Sequence, residues 1–250
     1  MKDNKQLPKN WILVRGLMRS QFHWKSFPEF LKSELKLNSV QTVELPGNGF
    51  LYTQKSPTSI DTAVEKLRSQ ISGAKTEAFG LIGISLGGML TTRWAQLYPL
   101  EVSHLVLINS SSTLSPFNQR LRSANYPSVV RHLLFGNPAA SEEFILRTTS
   151  NSEGLWRPQL TENIEFLKTH PLSAFNFFRQ LNLAGQTDFV DVPKAAKLIL
   201  TSKADRLVSS ECSERISQLW SCEIRKHETA GHDLPLDDAG WLVENIKNAF

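Results

Sequence analysis

The sequence predicts an α/β protein: a mostly parallel sheet of about six strands, helices on both faces, and a helical insert late in the chain. Three observations predict it. Short apolar runs alternate with segments of helical period, the pattern of strand–helix–strand units. One apolar run ends in Gly83-Ile84-Ser85-Leu86-Gly87 and passes directly into an apolar helical stretch. The alternation lapses near Ser110 and resumes near Val192.

Taken in order, the first strand is Trp11–Val14, leading into Arg15-Gly16-Leu17, and Phe27–Leu37 reads as a helix. The second strand, Val40–Glu44, stops at the breaker-rich Leu45-Pro46-Gly47-Asn48-Gly49. Ser56-Pro57-Thr58-Ser59 precedes the amphipathic Ile60–Ile71 and is expected to cap it. Ala78–Ile84 is the third strand, Leu86–Leu97 its helix and Val102–Ile108 the fourth strand. The next stretch holds helical patches only: Ser128–Phe135, Ser141–Thr148, Thr161–Thr169 and Ser173–Leu183. Residues 112–187 are therefore expected to form a lid over a cleft, with 1–111 and 188–250 as the core. Lys197–Thr201 and Cys222–Lys226 complete the strands; Cys212–Leu219 and Trp241–Ala249 complete the helices.

A chain of 250 residues, 40% hydrophobic and 21% charged, buries a full core. The net charge is only +4, and the positive residues are scattered. No basic run follows a phosphate backbone, which argues against nucleic acid; a solvated basic surface is expected, the alternative being an acidic partner or anionic substrate. Cys212 and Cys222 have no metal-ligand spacing and read as idle thiols. The polar start MKDNKQLPKN has no apolar segment behind it, and no run approaches a membrane span. A cytoplasmic location is expected.

The chemistry centres on Ser85. Held between glycines on a strand-to-helix turn, its hydroxyl projects from the backbone, and side chains at Gly83 or Gly87 would collide where strand and helix cross. A serine hydroxyl is a poor nucleophile without a base, and the base needs an acid to fix its tautomer. In an open α/β sheet these groups gather beyond the carboxyl ends of the strands. Asp205 follows the strand Lys197–Thr201, whereas Asp188 and Asp191 precede it at the wrong end. His232, after Gly231, lies just beyond the last strand. Of the other histidines, only His23 is placed to line the cleft. Asp233, Asp237 and Asp238 read as caps of the last helix. Two oxyanion donors are expected, the backbone N–H groups of Leu17 and Leu86. Trp24, Phe22, Phe117 and Phe178, with Phe135 and Trp156, are candidates for an acyl pocket or for aromatic core. No metal site is visible and no cofactor is expected: Gly47-Asn48-Gly49 lacks the third glycine and following helix that a dinucleotide needs.

In these pieces the chain resembles the α/β-hydrolase superfamily: Arg15-Gly16-Leu17, Trp24, Leu45-Pro46-Gly47-Asn48-Gly49, Gly83-Ile84-Ser85-Leu86-Gly87-Gly88, Asp205 with Val208, and Gly231-His232. The order Ser85, Asp205, His232 is that of the superfamily. The resemblance extends to lidded carboxylesterases such as the pimeloyl-acyl-carrier-protein methyl ester carboxylesterases. It implies Ser85, Asp205 and His232 as the triad and Leu17 and Leu86 as oxyanion donors. Three positions depart from the pattern: Arg15 replaces the usual histidine, Glu44 an aspartate and Ser202 a glycine. The activity implied is cleavage of a carboxylic ester through an acyl-enzyme. Alternatives on the same scaffold are hydrolysis of a carbon–carbon, amide or lactone bond, or a non-catalytic binding protein. Arg120, Arg122, Arg131, Arg147, Lys168 and Arg179 raise the further expectation that the insert docks an acyl-carrier-bound substrate.

Overall fold

The computed structural model describes residues 6–72 and 77–250. Of the polar start that bears on location, residues 1–5 lie outside the described residues.

Six strands form one sheet, all parallel: β1 (Asn10–Val14), β2 (Ser39–Val43), β3 (Phe79–Ile84), β4 (Val102–Ile108), β5 (Ala196–Ser202) and β6 (Glu223–His227). Their order is β2-β1-β3-β4-β5-β6. The winding reverses between β1 and β3, so the carboxyl ends of these two strands flank the crevice where such sheets bind ligands. Helices α1 (Phe27–Glu34), α2 (Ile60–Arg68) and α3 (Leu86–Leu97) follow the first three strands in turn. Between β4 and β5 run α4 (Phe117–Arg120), α5 (Tyr126–Phe135), α6 (Pro138–Thr149), α7 (Glu153–Trp156), α8 (Leu160–Thr169) and α9 (Ala174–Ala184). After β5 come α10 (Ser210–Trp220), then α11 (Leu234–Asp237) and α12 (Ala239–Ala249).

The strands read as continuous apolar runs because both faces are covered. The period-2 alternation then sorts side chains between two cores. Ile12, Val14, Leu81, Leu105, Leu107 and Ile199 pack on one face under α2, α3 and α10. Trp11, Leu13, Ile82, Ile84, Val106 and Leu198 pack on the other under α1 and α12.

The end of α1 and the capping of α2 differ from expectation for local reasons. α1 ends at Glu34 because Lys36 adopts a left-handed conformation (φ 52°), a turn that brings Leu37 into the core. Ser59 occupies the N-cap of α2, but its side chain caps nothing; the Ile60 N–H donates instead to Gln186 Oε1 at 3.0 Å. The single-turn helices α4, α7 and α11 are too short to leave a period in the sequence.

The helical segment between β4 and β5 leaves and re-enters the sheet at one place, where Thr113 N–H donates to Thr187 O at 2.8 Å. Four of the six cations considered for acyl-carrier docking have partners within the chain. Arg147 pairs with Glu143 and Lys168 with Glu165 within their own helices. Arg120 donates to Ala184 O, and Arg179 to Ser56 O. Among the described residues no helix is long and apolar enough to cross a membrane.

Candidate active site

Ser85 lies between β3 and α3 with φ 56° and ψ −121°, a conformation a residue with a Cβ rarely adopts. The flanking glycines make the turn fit. A Cβ on Gly83 would run into Gly87 O and Thr91 Oγ1, and one on Gly87 into Val14 O. Ser85 N–H donates to Ile108 O at 2.9 Å, fixing the turn to the tip of β4. Gly16 approaches from β1: a Cβ there would sit 3.1 Å from Ser85 Cβ.

Asp205 lies in the loop after β5 and is 3% exposed. Its Oδ1 accepts the N–H groups of Leu207 (2.7 Å) and Val208 (2.9 Å), so the carboxylate cannot rotate. Its Oδ2 is 2.7 Å from His232 Nδ1, which fixes the ring with Nδ1 as donor and leaves Nε2 as the basic nitrogen. His232 is buried in the loop after β6, and that loop is pinned from several sides. Gly231 N–H donates to Asp237 Oδ2 (2.6 Å) and Asp233 N–H to Thr149 O (2.7 Å).

Sequence reasoning missed Asn109, which ties the two loops together. Its Nδ2 donates to His232 O (2.8 Å), Gly231 O (3.3 Å) and Ser202 Oγ (3.2 Å), and its Oδ1 accepts Ser202 N–H at 2.7 Å. Asn109 has φ 45°, a conformation asparagine tolerates better than most residues. Its signal was an asparagine directly after an apolar strand, beside a serine-rich loop. Ser202, one of the departures from the superfamily pattern, is its partner.

Ser85 and His232 open onto one cavity of about 360 Å³, beyond the carboxyl ends of β1 and β3. Its upper wall comes from the helical segment: Val129, Phe144, Ile145, Leu167, Leu172 and Phe177. The proposed acyl-pocket aromatics do not line it. Trp24 is 3% exposed and stacked on Phe27 in the core. Phe22 stacks on Phe166 at 4.0 Å, and Phe117 and Phe178 face outward at 50% and 61% exposure. Phe135 also faces outward, whereas Trp156 is buried. Phe177, not Phe178, faces inward because each residue turns about 100° around a helix. His23 is buried beside Phe22 and Phe166, away from this cavity.

Arg15 and Asp233 line the cavity floor and form a two-pronged ion pair, Nη1 to Oδ1 at 3.0 Å and Nη2 to Oδ2 at 2.6 Å. Both are at least 95% buried, and Arg15 also lies over Trp24 at 4.8 Å. Asp233 is thus not the helix cap its position suggested. Burial works to raise its carboxyl, but the charge and hydrogen bonds of Arg15 prevail and hold it below the usual aspartate range. Asp237 binds the Gly231 and Asn151 N–H groups, and Asp238 alone of the three caps α12, accepting Trp241 N–H at 2.8 Å.

Leu17 lines the cavity within the tight turn Gly16–Arg19, closed by Arg19 N–H to Gly16 O at 3.2 Å. The side chain of Leu86 is in the core, and its N–H is the first of α3, where the helix supplies no partner four residues back. These two amides stand on the two elements that flank Ser85.

Glu44 is buried under the same loop, accepting Ser20 Oγ–H (2.8 Å) and Gln21 N–H (3.2 Å). Burial pushes its carboxyl up to about 7 against these hydrogen bonds. A raised folded-state value means that the folded chain keeps this proton while the unfolded chain releases it. Between about pH 4.5 and 7 Glu44 should therefore cost stability as pH rises, by about 1.4 kcal/mol per pH unit at most. Urea unfolding of Glu44→Gln should show a flatter profile than wild type across this window. Parallel profiles would refute the assignment.

Four similarities to known proteins bear on this arrangement. The pattern of the alpha/beta hydrolase family matches residues 11–245. Human monoacylglycerol lipase ABHD6 is 23% identical over 247 residues, spanning 90% of this chain and 70% of that protein. A lipase-esterase related protein from Clostridium acetobutylicum superposes with a TM-score of 0.72 at 19% identity, over 99% of this chain and 96% of that one. The 2-hydroxy-6-oxo-6-phenylhexa-2,4-dienoate hydrolase from Rhodococcus superposes with a TM-score of 0.76 at 16% identity, over 98% and 91% of the two chains.

Proposed function

Since the chain belongs to the alpha/beta hydrolase family, we propose that it is a serine hydrolase cleaving carboxylic esters of uncharged, apolar acyl groups beneath a lid formed by residues 112–187. The observation that carries this reading is the shared cavity: Ser85 on its strained turn and His232, tied to Asp205 at 2.7 Å, face the same apolar space.

In this mechanism His232 Nε2 takes the Ser85 proton as Oγ attacks the ester carbonyl. The resulting oxyanion accepts the N–H groups of Leu17 and Leu86, fixed donors that need no reorganisation. As the tetrahedral adduct collapses, the C–O bond breaks and the imidazolium returns its proton to the leaving alcohol. Water, deprotonated by the same nitrogen, then releases the acid and frees Ser85.

The wall chemistry favours a neutral acyl group. Arg15 and Arg19 face the cavity, but the first is paired with Asp233 and the second with the buried Glu142 (2.8 Å). An anionic chain would have to displace one of these partners, so the carboxylate of a dienoate such as that named for the Rhodococcus enzyme is a poor fit. A lipase substrate of the kind named for the human relative suits the wall. A cavity of this size lies within the range of small-molecule sites.

A fluorophosphonate tests the reading. It should label the protein once, on the peptide containing Ser85, and Ser85→Ala should remain unlabelled while keeping the wild-type thermal midpoint. Labelling elsewhere, or p-nitrophenyl ester hydrolysis equal in wild type and Ser85→Ala, would exclude it.

A further inference from the structure

The turn Gly16–Arg19 carries an unusual residue for its shape. Met18 stands at its third position with φ 54°, the geometry of a type II turn, in which glycine or asparagine is favoured. A methionine there is strained by about 1 kcal/mol or more. Turning over the Leu17–Met18 peptide would relieve that strain by changing ψ of Leu17 and φ of Met18, and would swing the Leu17 carbonyl toward the place the Met18 N–H now holds, within the turn that carries the Leu17 N–H.

Groups from outside the turn oppose this. Met18 N–H donates to Gln180 Oε1 at 3.0 Å. Gln180 belongs to α9 and is fully buried; its Nε2 donates to Asn48 Oδ1 (2.6 Å) and Ser56 Oγ (3.0 Å). Asn48 Nδ2 closes the ring on the same turn, donating to Arg19 O at 3.1 Å. A second tie runs from Arg19 to Glu142 of α6, itself bonded to Asn163 Nδ2 at 2.7 Å. Both Gln180 and Glu142 come from the helical segment that roofs the cavity.

We propose that Gln180, supported by Asn48, is a positioning residue that locks the oxyanion-loop turn in its strained form, so that seating of the roofing helices and assembly of the oxyanion hole are one event. The inference rests on the serine hydrolase reading for its catalytic consequence only. The Gln180 amide contributes an acceptor to Met18 N–H that no flipped peptide could use. Lifting α9 would remove it and release the turn. On this view the roof does more than exclude water. It switches the hole on when it is seated.

Gln180→Met, close in size but without hydrogen-bonding groups, separates the outcomes. Amide exchange of the peptide spanning residues 15–20 should accelerate about tenfold, the usual scale for one lost hydrogen bond. The kcat for a p-nitrophenyl ester should fall about 10- to 100-fold with KM little changed, a fraction of what loss of a whole oxyanion donor costs. Affinity for a trifluoromethyl ketone, whose tetrahedral adduct uses the same hole, should fall in parallel with kcat. A purely structural role would lower the thermal midpoint without this split between kcat and KM. Should Gln180→Met not fold, Asn48→Ser, which keeps the Met18 bond, should shift all three readouts in the same direction by smaller factors. Unchanged exchange over residues 15–20, or unchanged kcat despite faster exchange, overturns the proposal. If wild type neither hydrolyses esters nor takes the fluorophosphonate, the hydrolase reading fails, while the exchange measurement still decides whether Gln180 holds the turn.

Discussion

Replacing Ser85 by alanine should lower kcat for ester hydrolysis about 10⁶-fold, and Asp205→Asn about 10⁴-fold, with KM within a few-fold in both. On the proposed mechanism the first removes the nucleophile. The second follows from the hydrogen bonds around Asp205. Its Oδ1 accepts two backbone N–H groups, at Leu207 and Val208. An asparagine must put its carbonyl oxygen there and point its amide N–H groups at His232 Nδ1. That nitrogen would then have to accept, so the imidazole proton would move to Nε2. An Nε2 already carrying a proton cannot take one from Ser85. The shape of the site would survive while its base was lost, so the thermal midpoint should hardly move. Because the residues act as one unit, Ser85→Ala combined with Asp205→Asn should be no slower than Ser85→Ala alone. Retention of more than about a tenth of wild-type activity in Asp205→Asn would count against the assigned roles.

What the sequence made legible divides along physical lines. The β3–α3 junction was readable because its constraints are local: an apolar run, two glycines where backbones cross, and a helix directly behind. That Asp205 and His232 would meet was readable because a parallel sheet collects such residues at one end, and each follows a strand by a few residues. The cavity wall was not. Whether Phe177 or its neighbour Phe178 faces inward depends on the rotation of α9 against the core, which hydrophobicity does not encode when both residues are aromatic. Asp233 shows the same limit. Beside a helix start, an aspartate reads as a cap, and only the fold reveals an arginine 218 positions earlier in the chain meeting it. Gln180 was invisible for a like reason, since a glutamine on a helix carries no sign that its amide will reach the loop after β1.

Breaking the Arg15–Asp233 pair should have the other large effect, on stability. Arg15→Met leaves a carboxylate at least 95% buried without its cation, and Asp233→Asn leaves the guanidinium likewise. Each single change should destabilise the fold by about 3–5 kcal/mol, and the double variant Arg15→Met with Asp233→Leu should recover much of this, since neither buried charge remains. The pH dependence distinguishes this from lost packing. In wild type the Asp233 carboxyl is held below its usual range, so its contribution is present above about pH 4 and is lost as pH falls through the lower folded-state value. In Arg15→Met the largest lowering influence is gone, and burial, which raises the carboxyl, is opposed only by the charges of Arg19 and His232. That variant should therefore be penalised most near neutral pH, and the gap to wild type in urea unfolding should narrow as pH falls toward 4. Arg15 precedes Gly16 and Asp233 follows His232, so on the proposed mechanism the pair also spaces the base against the oxyanion hole. Activity of the refolded double variant should consequently lag its recovered stability. A gap to wild type that is independent of pH would mean that Arg15 serves the fold by packing on Trp24 and not by its charge.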